Sequence, residues 1–259
     1  MNDVEQAARL LADSRWSIAL TGAGISVDSG IPDFRSPGGL WDRFDPFEYA
    51  HIDAFLSHPE KVWTMLREMH DVIHSAKPNA GHYALAELEQ MEIIKAVITQ
   101  NIDSLHQLAG SQEVIEFHGN SRKLVCLACG AKYNAEKMTE LMREKGIWPP
   151  VCEKDNRVLK PDVVFFGEPI PYEASVQAQK QARECDVILV VGTSAMVFPA
   201  SGIPMLARQT GATVVEINKT ATALTDSVAH LSLHGSSTEI LPQVVARVRE
   251  LRGGGDGRA

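Results

Sequence analysis

The chain has 259 residues, of which 44% are hydrophobic and 22% charged, and its formal net charge is −8. That length and apolar share suit one large α/β domain, or a larger and a smaller one, and no internal repeat or low-complexity domain is evident. The acidic balance argues against a broad phosphate-binding surface, so no direct nucleic-acid partner is expected, whereas a basic peptide would be attracted weakly.

The first segment predicts a helix, with Asn2 and Glu5 spaced as a capping box and Val4, Ala7, Ala8 and Leu11 recurring at helical spacing. It lacks the basic start and apolar run of a signal peptide, and nowhere do 18 apolar residues follow one another; a cytoplasmic protein with no membrane partner is expected. Ser17 to Leu20 then reads as a strand buried on both faces, followed at once by Gly22, Ala23 and Gly24. Such a turn can bring backbone N–H groups against a phosphate, although by itself an ordinary tight turn explains it equally well. Val27 stands where the dinucleotide fingerprint G-x-G-x-x-G places its third glycine, which disfavours a hydride-transferring dehydrogenase. Gly30 to Arg35 next sets an acid, an aromatic ring and a guanidinium on one short segment that glycine allows to move as a lid.

From Trp41 to Ala76 the pattern is helical, carried by Phe55, Val62, Met65, Leu66, Met69 and Ile73, and reads as an insertion. A helix beginning near Asn79 leads to a second buried strand over Ile93 to Ile98, so Thr99, Gln100 and Asn101 fall at a strand's C-terminal end, where open α/β sheets bind ligands. His118 follows Val114-Ile115-Glu116-Phe117 and is expected at or near another strand end. Composition shifts over 121–159, where Cys126-x-x-Cys129, Gly130 and Cys152 surround one amphipathic helix over Ala135 to Glu144; this reads as a second insertion and a small metal ribbon. Strand character returns at Val163 to Phe166, a helix is expected over Tyr172 to Arg183, and buried strands over Val187 to Val191 and Thr213 to Asn218. Cys185, beside an apolar strand, reads as core. A last helix carries Val244, Val245, Val248 and Leu251, and a disordered tail is expected over 253–259.

The segments GAGIS (from Gly22) and GIPDFR (from Gly30), Thr99-Gln100-Asn101-Ile102-Asp103, His118-Gly119, Phe165-Phe166-Gly167-Glu168, Gly192-Thr193-Ser194 and Asn218 occur in an order and spacing that resembles the sirtuins, the NAD-dependent protein lysine deacylases. The resemblance runs from about Val4 to Val248 and is closest to the bacterial deacetylase type. It implies a Rossmann-like parallel sheet over 1–35, 77–120 and 160–252, with a smaller domain formed from the helical insertion 36–76 and the zinc-ribbon-like insertion 121–159.

It also implies a reaction. The acyl oxygen of a modified lysine attacks C1′ of the nicotinamide ribose, expelling nicotinamide and forming an alkylimidate. His118 then deprotonates a ribose hydroxyl, and the acyl group leaves on ADP-ribose, so that NAD is consumed as a co-substrate. An imidazole that takes up protons near neutral pH suits that task. By this resemblance His118 and Asn101 are catalytic. The co-substrate falls to Gly22, Ala23, Gly24, Asp33, Phe34, Arg35, Gln100, Asn101, Ile102, Asp103, Gly192, Thr193, Ser194, Asn218 and Lys219. An extended acyl-lysine peptide falls to Val164, Phe166, Gly167, Glu168, Met196 and Val197.

Structural zinc is implied at Cys126, Cys129 and Cys152, with Asp155 standing where the family has its fourth cysteine; a Cys₃Asp set is chemically possible, though less common than Cys₄. Two further readings remain open at this point: a non-catalytic sensor of NAD or ADP-ribose that binds acyl-lysine proteins, and an ADP-ribosyltransferase or NAD hydrolase. Finally, Leu66 and Met69 occupy the positions, counted from Trp63, where succinyl- and malonyl-preferring sirtuins carry a tyrosine and an arginine. Neutral acyl groups are therefore expected, acetyl first and longer aliphatic chains after it.

Overall fold

The computed structural model describes residues 2–253. In chain order its elements are α1 (Asp3–Asp13), β1 (Ser17–Thr21), α2 (Pro46–Tyr49), α3 (Ile52–Ser57), α4 (Pro59–Ser75), α5 (Ala80–Gln90), β2 (Ile94–Thr99), α6 (Leu105–Ala109), β3 (Val114–Glu116), β4 (Gly119–Val125), β5 (Lys132–Asn134), α7 (Ala135–Glu144), β6 (Lys160–Val163), α8 (Tyr172–Glu184), β7 (Val187–Val191), α9 (Gly202–Gln209), β8 (Thr213–Asn218), β9 (Leu231–His234) and α10 (Ser237–Gly253). Gly253 thus closes the last helix instead of opening a tail, and the remainder of the expected tail lies outside the described residues.

Six strands form one parallel sheet in the order β3-β2-β1-β7-β8-β9. Set aside the three strands of the second sheet, and this is the doubly wound order whose switch point lies at the ends of its first and fourth strands, here β1 and β7. Side chains alternate across the sheet. Ala19, Val97, Leu189, Val191, Val215 and Ile217 face α1, α5 and α10, packing on Leu11, Leu85, Leu88, Leu241, Val244 and Val248. Ile18, Leu20, Ala96, Ile98, Ile188, Val190 and Val214 face the other way, onto Ala178 and Ala182 of α8 and Ile203 and Ala207 of α9. Both faces being covered, β1 and β7 are buried at every position.

The two insertions share one core. Phe55, Val62 and Trp63 from α3 and α4 pack with Leu124, Cys126, Met138, Met142, Leu159 and Phe165, and the Trp63 indole N–H donates to Leu159 O at 2.9 Å. Each such side chain, fully buried, stabilises the fold by about 1.5–3 kcal/mol.

Two further expectations are corrected. The strand expected over Val163 to Phe166 lies at Lys160–Val163, and it pairs antiparallel with β4 in the three-stranded sheet β5-β4-β6, not in the parallel one. An apolar run identifies a strand but not its partner, and Phe166 is held instead by the helical insertion, its N–H donating to Ala50 O at 2.9 Å. The capping box is half formed: Asn2 accepts from Glu5 N, but the Glu5 carboxylate turns to Arg9 at 2.6 Å and to Arg247 of α10. Finally, α6, α9 and β9 had no periodic signal, each being shorter than the window in which a period can be recognised.

Candidate active site

Every NAD- and peptide-contact residue expected from the sequence, together with His118, lines one cleft of about 1030 Å³ at the C-terminal ends of β1, β2, β7 and β8. The sheet topology explains the convergence. Polar residues that follow parallel strands are delivered to one edge, at the switch point between β1 and β7.

The glycine turn is built against the next strand end. Gly22 N donates to Val191 O at 3.1 Å and Gly24 N to Gly192 O at 2.8 Å, and a Cβ on Gly24 would stand 2.8 Å from that same oxygen. Only glycine allows this approach, and Gly192 itself sits at φ +60°. Because the N–H groups of Gly22, Gly24, Ile25 and Ser26 are all engaged within the protein, a phosphate at this turn has to be met by the Ala23 N–H.

Behind the turn lies a satisfied polar network. The Ser26 hydroxyl donates to Asp103 Oδ2 at 2.7 Å, accepts from Asn101 Nδ2 at 3.1 Å and faces His82 Nε2 at 3.4 Å. His82 Nδ1 accepts from Asn79 N, which leaves the ring proton on Nε2, so the one donor and both lone pairs of the hydroxyl are used. Asn101 Nδ2 also donates to Gly22 O at 3.1 Å. Asp103 accepts from Leu105 N, the first residue of α6, at 2.9 Å; burial pushes its carboxyl up, partly offset by these donors. Burial holds His82 down at about 4, and it is neutral at pH 7.

His118 follows β3. Its Nδ1 lies 3.1 Å from Gln100 O, a carbonyl that only accepts, which places the proton on Nδ1 and leaves Nε2 as the basic atom. Burial lowers its pKa below the ordinary histidine value, partly offset by that backbone acceptor. Gln100 Nε2 reaches Thr193 Oγ1 at 3.0 Å, linking the ends of β2 and β7. Farther along, Asn218 Nδ2 donates to Thr220 O at 2.9 Å, and Lys219 pairs with Asp28 at 3.3 Å.

On the other wall, Asp33 accepts from Arg35 N at 3.0 Å, Ser36 N at 2.8 Å and Ser36 Oγ at 2.5 Å. Burial raises its carboxyl, but these bonds more than offset that and hold it below the usual range. Asp33 is therefore the organiser of its segment. Phe34 packs on Trp41 with ring centroids 5.1 Å apart, and Trp41 on Phe166 at 6.3 Å. Ile52 N donates to Phe166 O at 2.9 Å, so both main-chain groups of Phe166 are used internally and only its ring is offered to the cleft. Met65, Leu66, Met69 and Ile73 give this end of the cleft an apolar wall.

Sequence reading missed Ser26, His82, Trp41 and the segment Thr220 to Ala223, which also line or support the cleft. One signal was available for His82, a polar residue on the otherwise apolar stripe of Ala84, Leu85 and Leu88.

Cys126, Cys129, Cys152 and Asp155 lie apart from the cleft, with ligand atoms all within 4.8 Å of one another. Cys129 and Cys152 sulfurs are 3.6 Å apart, and Cys126 Sγ lies 3.3 Å from Asp155 Oδ2. A tetrahedral zinc with bonds of about 2.3 Å to sulfur requires edges of roughly 3.8 Å, so the donor set fits. The Tyr133 hydroxyl, 3.1 Å from Cys152 Sγ, supports it from outside.

The Sir2 family model matches residues 22–199. An NAD-dependent protein deacylase 2 of Pyrobaculum aerophilum is 47% identical over 93% of this chain and 94% of its own length. A solved Sir2 structure with p53 peptide and NAD+ is 37% identical, with a TM-score of 0.86 over 98% of this chain and 99% of that one. Another, Sir2Af2 bound to a myristoylated histone peptide, is 38% identical, with a TM-score of 0.81 over 97% and 98%.

Proposed function

The chain belongs to the Sir2 family, and from that premise we propose that it is an NAD-dependent protein lysine deacylase, most active as a deacetylase. It moves the acyl group of a modified lysine to ADP-ribose: nicotinamide leaves as the acyl oxygen bonds C1′, a ribose hydroxyl adds to the resulting imidate carbon, and one water is consumed as the lysine amine departs. The observation that carries this reading is His118: an imidazole neutral at pH 7, its Nδ1 pinned to Gln100 O, its Nε2 left free, inside a cleft walled by the glycine turn on one side and by Val164 to Glu168 on the other.

In this reading the Ala23 main chain, Arg35, Thr193, Ser194, Asn218 and Lys219 hold the dinucleotide, with Gly22, Gly24 and Gly192 shaping its path. Gln100, Asn101, Ile102 and Asp103 hold the nicotinamide end, Asn101 being oriented by Ser26 and Gly22 O. Phe34, backed by Trp41, covers the reacting centre and excludes water. An extended acyl-lysine peptide lies between Val164 to Glu168 and Met196 with Val197, and pairing with the main-chain groups there that are not engaged internally, such as those of Gly167, gives affinity with little demand on sequence. His118 Nε2 accepts a ribose hydroxyl proton. Zinc, held by the three cysteines and Asp155, would brace β4 and β5 and takes no part in the chemistry.

The division proposed is 1–35, 77–120 and 160–252 for the NAD-binding domain and 36–76 with 121–159 for the small one; the core that the two insertions share supports it, although β6, at the start of the third segment, reaches across into the small domain's sheet. No helix among the described residues is long and apolar enough to cross a membrane. A cytoplasmic location accords with thiols that must stay reduced to ligate metal, and cell fractionation tests it. The activity is tested by mass spectrometry of an acetyl-lysine peptide incubated with the protein, with and without NAD. Loss of the acetyl group only when NAD is present is expected; loss without NAD, or none with it, contradicts the reading.

A further inference from the structure

Lys160 is a charged residue with no place in the reaction just described, yet it is only 3% exposed. Its ammonium has three donors, and all three find acceptors: Glu168 Oε2 at 2.8 Å, Val163 O at 2.6 Å and Pro161 O at 3.3 Å. The remaining side is closed by the Phe165 ring, whose centroid lies 4.5 Å away. Every contact except that with Pro161 is to Val163, Phe165 or Glu168, residues that line the cleft.

The turn it holds is tight. Glu168 N donates to Phe165 O at 3.0 Å, while Phe165 N donates back to Glu168 Oε2, the same oxygen that receives Lys160, at 2.8 Å. Gly167 passes through this turn at φ +85°, with the His51 ring so near that a Cβ would stand 2.8 Å from it. At the residue just before Phe165, Val164 N donates to His118 O at 2.8 Å, so the turn is continuous with the backbone of His118. A carboxylate without Lys160 would keep one backbone donor and lose its counter-charge. Breaking a buried ion pair from one side leaves the other charge uncompensated.

We propose that Lys160 is a positioning residue for acyl-peptide binding: by fixing Glu168 it holds the Phe165 to Glu168 turn in the shape that receives the peptide. The proposal rests on the reading that this turn binds acyl-lysine peptide.

The test compares the parent with Lys160→Met, Lys160→Gln and Lys160→Arg by steady-state kinetics on one acetyl-lysine peptide, with NAD binding followed by calorimetry and folding by thermal melts. Lys160→Met, which keeps the stem and removes the charge, is expected to raise the KM for peptide roughly tenfold while kcat and the affinity for NAD change less than about threefold. Lys160→Arg restores the cation and should bring the peptide KM back to within about threefold of the parent. Should Lys160→Met fail to give a cooperative melt, Lys160→Gln carries the same expectation, because it removes the charge but keeps hydrogen-bonding capacity.

An unchanged peptide KM in the neutral variant, an equal rise in the arginine variant, or parallel losses in NAD binding would overturn the proposal. A parent enzyme inactive on acetyl-lysine peptide would instead overturn the proposed function, and the two failures are distinct.

Discussion

At the scale of single residues, the proposed chemistry depends on which nitrogen of His118 carries the proton. Gln100 O takes the N–H from Nδ1, so the free lone pair of Nε2 is available only while the ring is neutral. Burial favours that neutral form and lowers the pKa. Activity is therefore lost as pH falls through the pKa, and the acid limb of kcat/KM should have its midpoint below 6.5. A midpoint above that value would mean that a neighbouring carboxylate stabilises the imidazolium. In the same account His118→Ala lowers deacetylation by about 10²–10⁴-fold, the usual worth of a general base, while exchange of labelled nicotinamide falls less than about tenfold, because the base acts after the first bond has broken. Equal loss in both assays would place the residue in the first step.

That these residues line one cleft was legible in the sequence because they lie in short ordered motifs at strand ends. His82 and Ser26 were harder. What makes them matter is a contact between α5 and the turn after β1, at a separation of 56 residues, and no local pattern encodes it.

At the scale of elements, the proposed preference among acyl groups rests on α4. Met65, Leu66, Met69 and Ile73 wall the end of the cleft with apolar side chains. A carboxylate brought against them loses hydration and gains no partner there, which costs several kcal/mol, while a methyl or an alkyl chain gains from the contact. On matched peptides, kcat/KM for acetyl-lysine should exceed that for succinyl-lysine by tenfold or more, since about 1.4 kcal/mol already gives a factor of ten. A preference for succinyl would show that Arg67 or another cation turns into the pocket.

The ribbon makes a second prediction. Zinc should be found in purified protein at about one per chain through Cys126, Cys129, Cys152 and Asp155, and chelation should lower the melting temperature by about 5 °C or more while slowing residual turnover far less. Protein made with ample zinc and found free of it would contradict this. The helices of both insertions were readable from their 3.6-residue period, and α7 lies where it was expected. The pairing of β6 was not readable, because the sequence between Lys160 and Phe166 suits either sheet and the choice is made by tertiary hydrogen bonds to β4.

At the scale of the whole molecule, stability at low pH follows from the two histidines buried behind the site. His82 is held at about 4 against 6.5 in the unfolded chain, and His106, with His82 beside it, is also lowered by burial. Between those values the unfolded chain binds the proton and the folded one does not, so stability rises with pH across the window and falls on acidification. His82 alone contributes about 3 kcal/mol of this loss between pH 6.5 and 4. Urea unfolding at pH 6.5 and 5.5, a range above most carboxylate titration, should show a decline that His82→Gln reduces. Identical slopes in parent and variant would refute the assignment. The doubly wound order itself was legible as a class, since buried strands alternated with helices. Its sixth strand, β9, was not, because Leu231–His234 is too short and too polar to show a period.

The central claim is that the acyl group ends on ADP-ribose, and the direct measurement is the mass of the nucleotide product together with its stoichiometry. The account predicts one acyl-ADP-ribose and one nicotinamide for each lysine freed. Free ADP-ribose released without acylated peptide, or ADP-ribose attached to protein, would contradict it.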